Sequence, residues 1–155
     1  VLAAFAATAA FVSLAWSGWG QRIEVPALRE PERIAAGAVV YANHCAACHG
    51  ANLEGQPDWR ERRPSGRLPA PPHDDTGHTW HHPNAVLFAI TKHGLVSPYA
   101  PAGYQSDMPA YAGVLSDAQI WAVLAYIQSR WSPRMQRAQE ELDQQSQPRR
   151  TQRPR

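Results

Sequence analysis

The sequence predicts an all-α domain of three to four helices, preceded by an N-terminal transmembrane helix. Three observations lead there. Apolar residues recur at helical spacing in separate segments while strand signals are almost absent. The first charged residue is Arg22, so residues 1–19 form an uninterrupted uncharged run. Only two cysteines occur in 155 residues, which excludes a disulfide scaffold and any four-cysteine zinc or iron–sulfur site.

Residues 1–20 are read as the membrane anchor. At about 1.5 Å per helical residue, nineteen residues reach about 28 Å, close to the roughly 30 Å of a bilayer's hydrocarbon core. Trp16 and Trp19 stand where an interfacial aromatic belt would put them. Ala3, Ala7 and Ala6, Ala10 offer smooth faces for a neighbouring helix. A cleaved export signal is the alternative reading, because seven of the first nineteen residues are Ala. Residues 21–30, with Pro26, read as a linker, and 31–132 as the domain.

Pro31 suits a first helical position, and the run from Ile34 to Tyr41 continues that helix. Between Glu54 and His82 repeated Pro and Gly break every candidate element. A stretch this long without structure fits a small domain only if something besides side chains fills the core. Pro83 opens a second helix, Asn84 to His93, with Gly94 as its stop. The clearest helix follows a loop over 98–113. Ser116 and Gln119 form a capping-box pattern, and Ile120, Trp121, Leu124 and Ile127 make an apolar stripe. Residues 133–155 read as a polar Arg/Gln-rich tail, a frayed helix followed by disorder.

The charge is unevenly placed. From Arg134 to Arg155 there are six Arg against three acids, so a chain of formal charge +2 carries −1 outside that tail. The basic character belongs to the tail, and nothing in the body resembles a nucleic-acid-binding face.

Cys45-Ala-Ala-Cys48-His49 has the form of a haem-attachment sequence. Cysteines three apart lie one helical turn from each other, so both thiols can meet the vinyl groups on one haem edge. His49 then offers an imidazole to the iron. A redox C-x-x-C would follow a strand, whereas the residues before Cys45 look helical. A haem would also fill the core that the long loop leaves open. Arg67, Trp80, Tyr104 and Tyr111 lie in loops from which a donor could reach its propionates.

The stretch Gly37-Ala-Val-Val-Tyr41-x-x-x-Cys45-x-x-Cys48-His49-Gly50 resembles the first helix and haem site of class I monohaem c-type cytochromes. Leu115 to Ile127 resembles their last helix, and the likeness covers residues 31–131. It implies a cytochrome c-like fold wrapped round one covalent haem c, with Gly37 opposite Trp121 and Tyr126. The sixth ligand is a choice between Met and His, and Met108 in Asp107-Met108-Pro109 stands where the family's methionine ligand occurs. Pro109 favours an extended Met108, while Met135, the other methionine, lies in the tail. A carbonyl from Pro69, Pro71 or Pro72 is implied as the partner of His49.

The resemblance implies single-electron transfer, not enzymatic turnover. It places the haem domain on the periplasmic side of a bacterial inner membrane, between membrane-bound donor and acceptor complexes of a respiratory or photosynthetic chain, with no small-molecule substrate. Two alternatives are a cytochrome subunit fixed in a larger oxidoreductase, and a haem sensor or peroxidase-like protein with an exchangeable sixth ligand. His73, Asp74, Asp75, His78, His81 and His82 form a cluster that reads either as solvated loop residues or as a copper or zinc site. His44 and His93 read as structural.

Overall fold

The computed structural model describes residues 27–146. Helix α1 spans Pro31–His44, α2 is a single turn over Ala46–His49, α3 spans Asn84–His93, α4 spans Asp117–Ser129 and α5 spans Pro133–Ser146. One 3-10 turn, Thr79–His81, interrupts the long irregular segment between α2 and α3. Among the described residues there is no strand, only an isolated bridge between Ala112 and Leu115. The transmembrane helix expected over residues 1–20 lies outside the described residues; within them no helix is long and apolar enough to cross a membrane.

The capping box forms as its spacing predicts: Ser116 Oγ accepts from the Gln119 amide, and Gln119 Oε1 accepts from the Ser116 amide at 2.9 Å. Two orphan amides are thereby satisfied, which fixes where α4 begins. Its apolar stripe is buried, and so are Ala122, Val123 and Ala125, so α4 runs through the middle of the core. Burying each large side chain contributes roughly 1.5–3 kcal/mol.

The principal packing in the domain is α1 across α4. Gly37 permits it: a Cβ there would lie 1.9 Å from the Ala122 carbonyl oxygen and 2.9 Å from Tyr126 Cβ. The expected partner Tyr126 is therefore present. Trp121 is not among the nearest neighbours of Gly37 and instead stacks on Phe88 of α3 at 4.5 Å.

The polar tail begins with the helix expected of it, and the residues after Ser146 lie outside the described ones. Over Pro133–Ser146 it is a helix, with Gln139 buried and Met135 packed on the core. The reason is a polar network invisible to hydrophobic periodicity. Asp143 accepts from the Asn84 backbone amide at 2.8 Å and from its side chain at 3.1 Å. Asn84 Oδ1 accepts from Gln128 and, at 2.8 Å, from Gln139. No side chain at Pro83 caps α3, so a carboxylate from α5 supplies the anion that the positive end of a helix favours. An open groove of about 600 Å³ remains between residues 27–29, the end of α4 and α5.

Replacing Gly37 with Ala forces a methyl group into main-chain atoms, and overpacking of this kind costs about 1–3 kcal/mol. The urea midpoint of Gly37→Ala should fall accordingly, with unchanged slope. Asp143→Ala should cost about 1–2 kcal/mol, read by hydrogen exchange as faster opening of the first turn of α3 and of α5.

Candidate haem site

α1 breaks at Cys45, whose amide still donates to the Tyr41 carbonyl at 2.9 Å. The Cys45 carbonyl then accepts from Cys48 at 3.1 Å and from His49 at 2.9 Å, closing the motif into one turn. Both sulfurs therefore lie on one side of that turn, as residues three apart do. Both thiols are free; Cys45 is buried and Cys48 exposed. Burial, with a smaller contribution from Cys48, pushes the Cys45 thiol up to about 11, so it is protonated at neutral pH. Tyr41 braces the turn from below by donating to the Gly50 carbonyl at 2.9 Å, and burial holds its phenol far above the ordinary range.

His49 is 8% exposed, and its Nδ1 lies 2.8 Å from the Pro71 carbonyl. Of the three prolines expected as partners, Pro71 is the one that meets it. A carbonyl can only accept, so Nδ1 carries the proton and Nε2 keeps its lone pair. That is the tautomer a metal requires. Burial lowers the His49 pKa, opposed in part by the Pro71 bond.

The loop delivering Pro71 is held at close quarters. A Cβ on Gly55 would stand 2.4 Å from the Pro72 nitrogen and 2.7 Å from the Pro71 carbonyl carbon. One on Gly77 would stand 2.0 Å from the Pro72 oxygen. Leu53, fully buried, is held at φ +69°, a region that costs an L-residue roughly 1–2 kcal/mol. Its carbonyl accepts from the His73 amide at 2.8 Å, and the Trp131 indole donates to the His73 carbonyl at 2.8 Å. The His73 ring stacks on His49, with centroids 3.8 Å apart and 17° between planes.

The histidine-rich loop does not converge. His73 lies against His49, whereas His78 stacks on Trp59 at 5.4 Å and sits edge-on to His82 at 5.5 Å. Among the described residues no three His, Cys, Asp or Glu side chains are placed to hold a metal ion. His81 stacks on Trp80 at 3.6 Å.

The remaining expected pocket residues take separate roles. Arg67 forms an ion pair with Asp107, the neighbour of Met108, and Arg63 approaches the same carboxylate at 4.0 Å. Met108 is partly buried and its amide donates to Ser106 Oγ at 3.0 Å. Tyr111 donates its hydroxyl to the His44 carbonyl at 2.6 Å, which commits it to bracing the end of α1. Tyr104 lies beneath the Arg62 guanidinium at 5.6 Å. The Trp80 indole nitrogen is buried and has no partner within the protein, an orphaned donor suited to an anionic group brought by a cofactor. His73, which sequence reasoning assigned to the loop cluster, is the site residue it missed; its spacing two after Pro71 was the available signal.

Two free thiols on one face of a turn, a neutral imidazole with an available Nε2 and an unpartnered indole donor all fit a covalently attached haem. Together with the helical frame they define a c-type haem-binding domain. The chain belongs to the cytochrome c family, whose model matches residues 34–131, and that family implies covalent haem c. It is similar to the Cbb3-type cytochrome c oxidase subunit FixP of Rhizobium etli, with 30% identity over 102 residues, 66% of this chain and 31% of the relative. The chain thus spans about a third of that relative's length. No solved structure matches it.

Burial is the leading cause that lowers the pKa of His73, His78 and His82, reinforced by neighbouring histidines. The unfolded chain therefore binds more protons below about pH 6.5, and stability should rise with pH up to that point and level off above it. Urea midpoints should be lower at about pH 5 than at about pH 7.5. The difference should shrink in a His78→Gln, His82→Gln double variant.

Proposed function

We propose that this chain is a membrane-anchored electron-transfer protein carrying one haem c, held through Cys45 and Cys48 with His49 and Met108 as axial ligands. The observation that carries the reading is the 2.8 Å bond from His49 Nδ1 to the Pro71 carbonyl, one residue from a free thiol pair. It fixes the imidazole in its ligating form before any iron is present. The bound group supplies a one-electron couple; the protein supplies ligands, orientation and a dry surround. A thioether sixth ligand raises the potential relative to bis-His ligation. The Arg67–Asp107 pair ties the Met108 turn to the irregular segment that also carries Pro71, which supports that assignment. Residues 1–20 would hold the domain at a bacterial inner membrane, on its periplasmic side, beside donor and acceptor complexes.

A second reading is favoured by one finding, the likeness to an oxidase subunit. In it the domain is a fixed cytochrome subunit of a larger oxidoreductase complex. Stoichiometric co-purification of partner subunits in detergent separates this from a lone carrier.

Expressed with a c-type haem maturation system, the full chain should retain haem through denaturation, and a Cys45→Ala, Cys48→Ala double variant should lose it. The oxidised protein should show the weak near-infrared sulfur-to-iron band. Met108→Ala should abolish that band while the haem stays covalently bound. Persistence of the band would refute the Met108 assignment, and tight carbon monoxide binding by the reduced wild-type protein at neutral pH would favour the sensor or peroxidase class.

A further inference from the structure

We propose that His73 is a positioning residue for the iron ligand: its ring, stacked on His49, fixes the plane in which that imidazole meets the haem. The inference rests on the haem-binding reading and deepens it. The Pro71 bond sets the direction of the His49 Nδ1–H vector, but a single hydrogen bond leaves the ring some freedom to rock. A flat partner 3.8 Å away at 17° closes that freedom, because rocking would drive the edge of one ring into the face of the other.

His73 is built to be immobile. Its amide is tied to the Leu53 carbonyl at 2.8 Å, and its carbonyl to the Trp131 indole at 2.8 Å. Tyr41 approaches its ring edge-on at 6.0 Å. Two separate parts of the chain thus pin the His73 backbone, and a third flanks its ring. Leu53 accepts left-handed backbone geometry while its carbonyl holds the His73 amide.

A packing role alone does not explain the residue. Its Nδ1 is buried without a hydrogen-bond partner, a cost that an apolar side chain of similar size would not carry. The shape that histidine shares with phenylalanine, and not with leucine, is a planar face. Groups that orient a ligating imidazole commonly do so by hydrogen bonding to it; here a hydrogen bond and a stacked ring divide the task.

The orientation of an axial imidazole sets how unpaired spin is distributed around a low-spin ferric haem, so the four haem-methyl proton shifts read the ring plane directly. The test compares these shifts, and the g-values from electron paramagnetic resonance, in full-length oxidised holoprotein. His73→Phe keeps the planar face; His73→Leu and His73→Met remove it at similar bulk. Circular dichroism and covalent haem content establish which variants are folded and loaded. The wild-type order and spread of methyl shifts should persist in His73→Phe, and should change in whichever of His73→Leu and His73→Met folds.

Wild-type shifts in a folded Leu or Met variant would overturn the assignment, as would a Phe variant as altered as those two. Failure of the wild-type chain to take up covalent haem would overturn the functional reading itself, and is distinguished by haem content before any shift is compared.

Discussion

One hydrogen bond organises this molecule, from His49 Nδ1 to the Pro71 carbonyl. A single buried bond of this kind contributes only about 1 kcal/mol net, so its importance is geometric. It requires a segment some twenty residues away in sequence to return to the Cys-His turn, as the spacing from 49 to 71 shows. The segment can do so only where it lies flat against other backbone. Gly55 and Gly77 leave the space, and Leu53 adopts an uncommon conformation to offer its carbonyl. The irregularity of this region is therefore specified, residue by residue, by the position of one imidazole.

The helical frame serves the same end by two different kinds of contact. α1 and α4 meet through apolar surfaces brought close by Gly37, and α1 carries the motif at its end. The last core helix returns to the site through Trp131, whose indole holds the His73 carbonyl, while the Ser132 amide donates to Asp75 at 2.9 Å. The surroundings of His49 are thus fastened to both ends of the core. Movement of α4 relative to α1 would be felt at His49 through a short chain of rigid groups.

Much of this was legible in the sequence, and what was not follows a pattern. The Cys45–His49 motif, the bounds of α3 and the Ser116/Gln119 cap rest on local rules, where each residue's neighbours in the chain decide its structure. Choosing Pro71 over Pro69 and Pro72 depends on a fold-back whose register no local rule supplies. The stack of His73 on His49 is hidden for the same reason, since a histidine in a histidine-rich loop carries no mark of which neighbour it faces. A helix at the start of the tail was expected, but its docking through Gln139, Asn84 and Asp143 was not, because hydrophobic periodicity is blind to polar side chains.

That polar docking gives the domain two thermodynamic layers. Heat-capacity change and denaturant sensitivity both scale with surface exposed, apolar surface above all. Most of the buried apolar side chains on helices belong to α1, α3 and α4, whereas α5 buries only Gln139 and packs Met135 on the core. The seam under α5 is closed by amides and a carboxylate beside an open groove. Its opening would expose Met135 and would strip α3 of the anion at its first turn. The last described helix is thus a latch held chiefly by charge and hydrogen bonding, over a core held by water's exclusion from hydrocarbon.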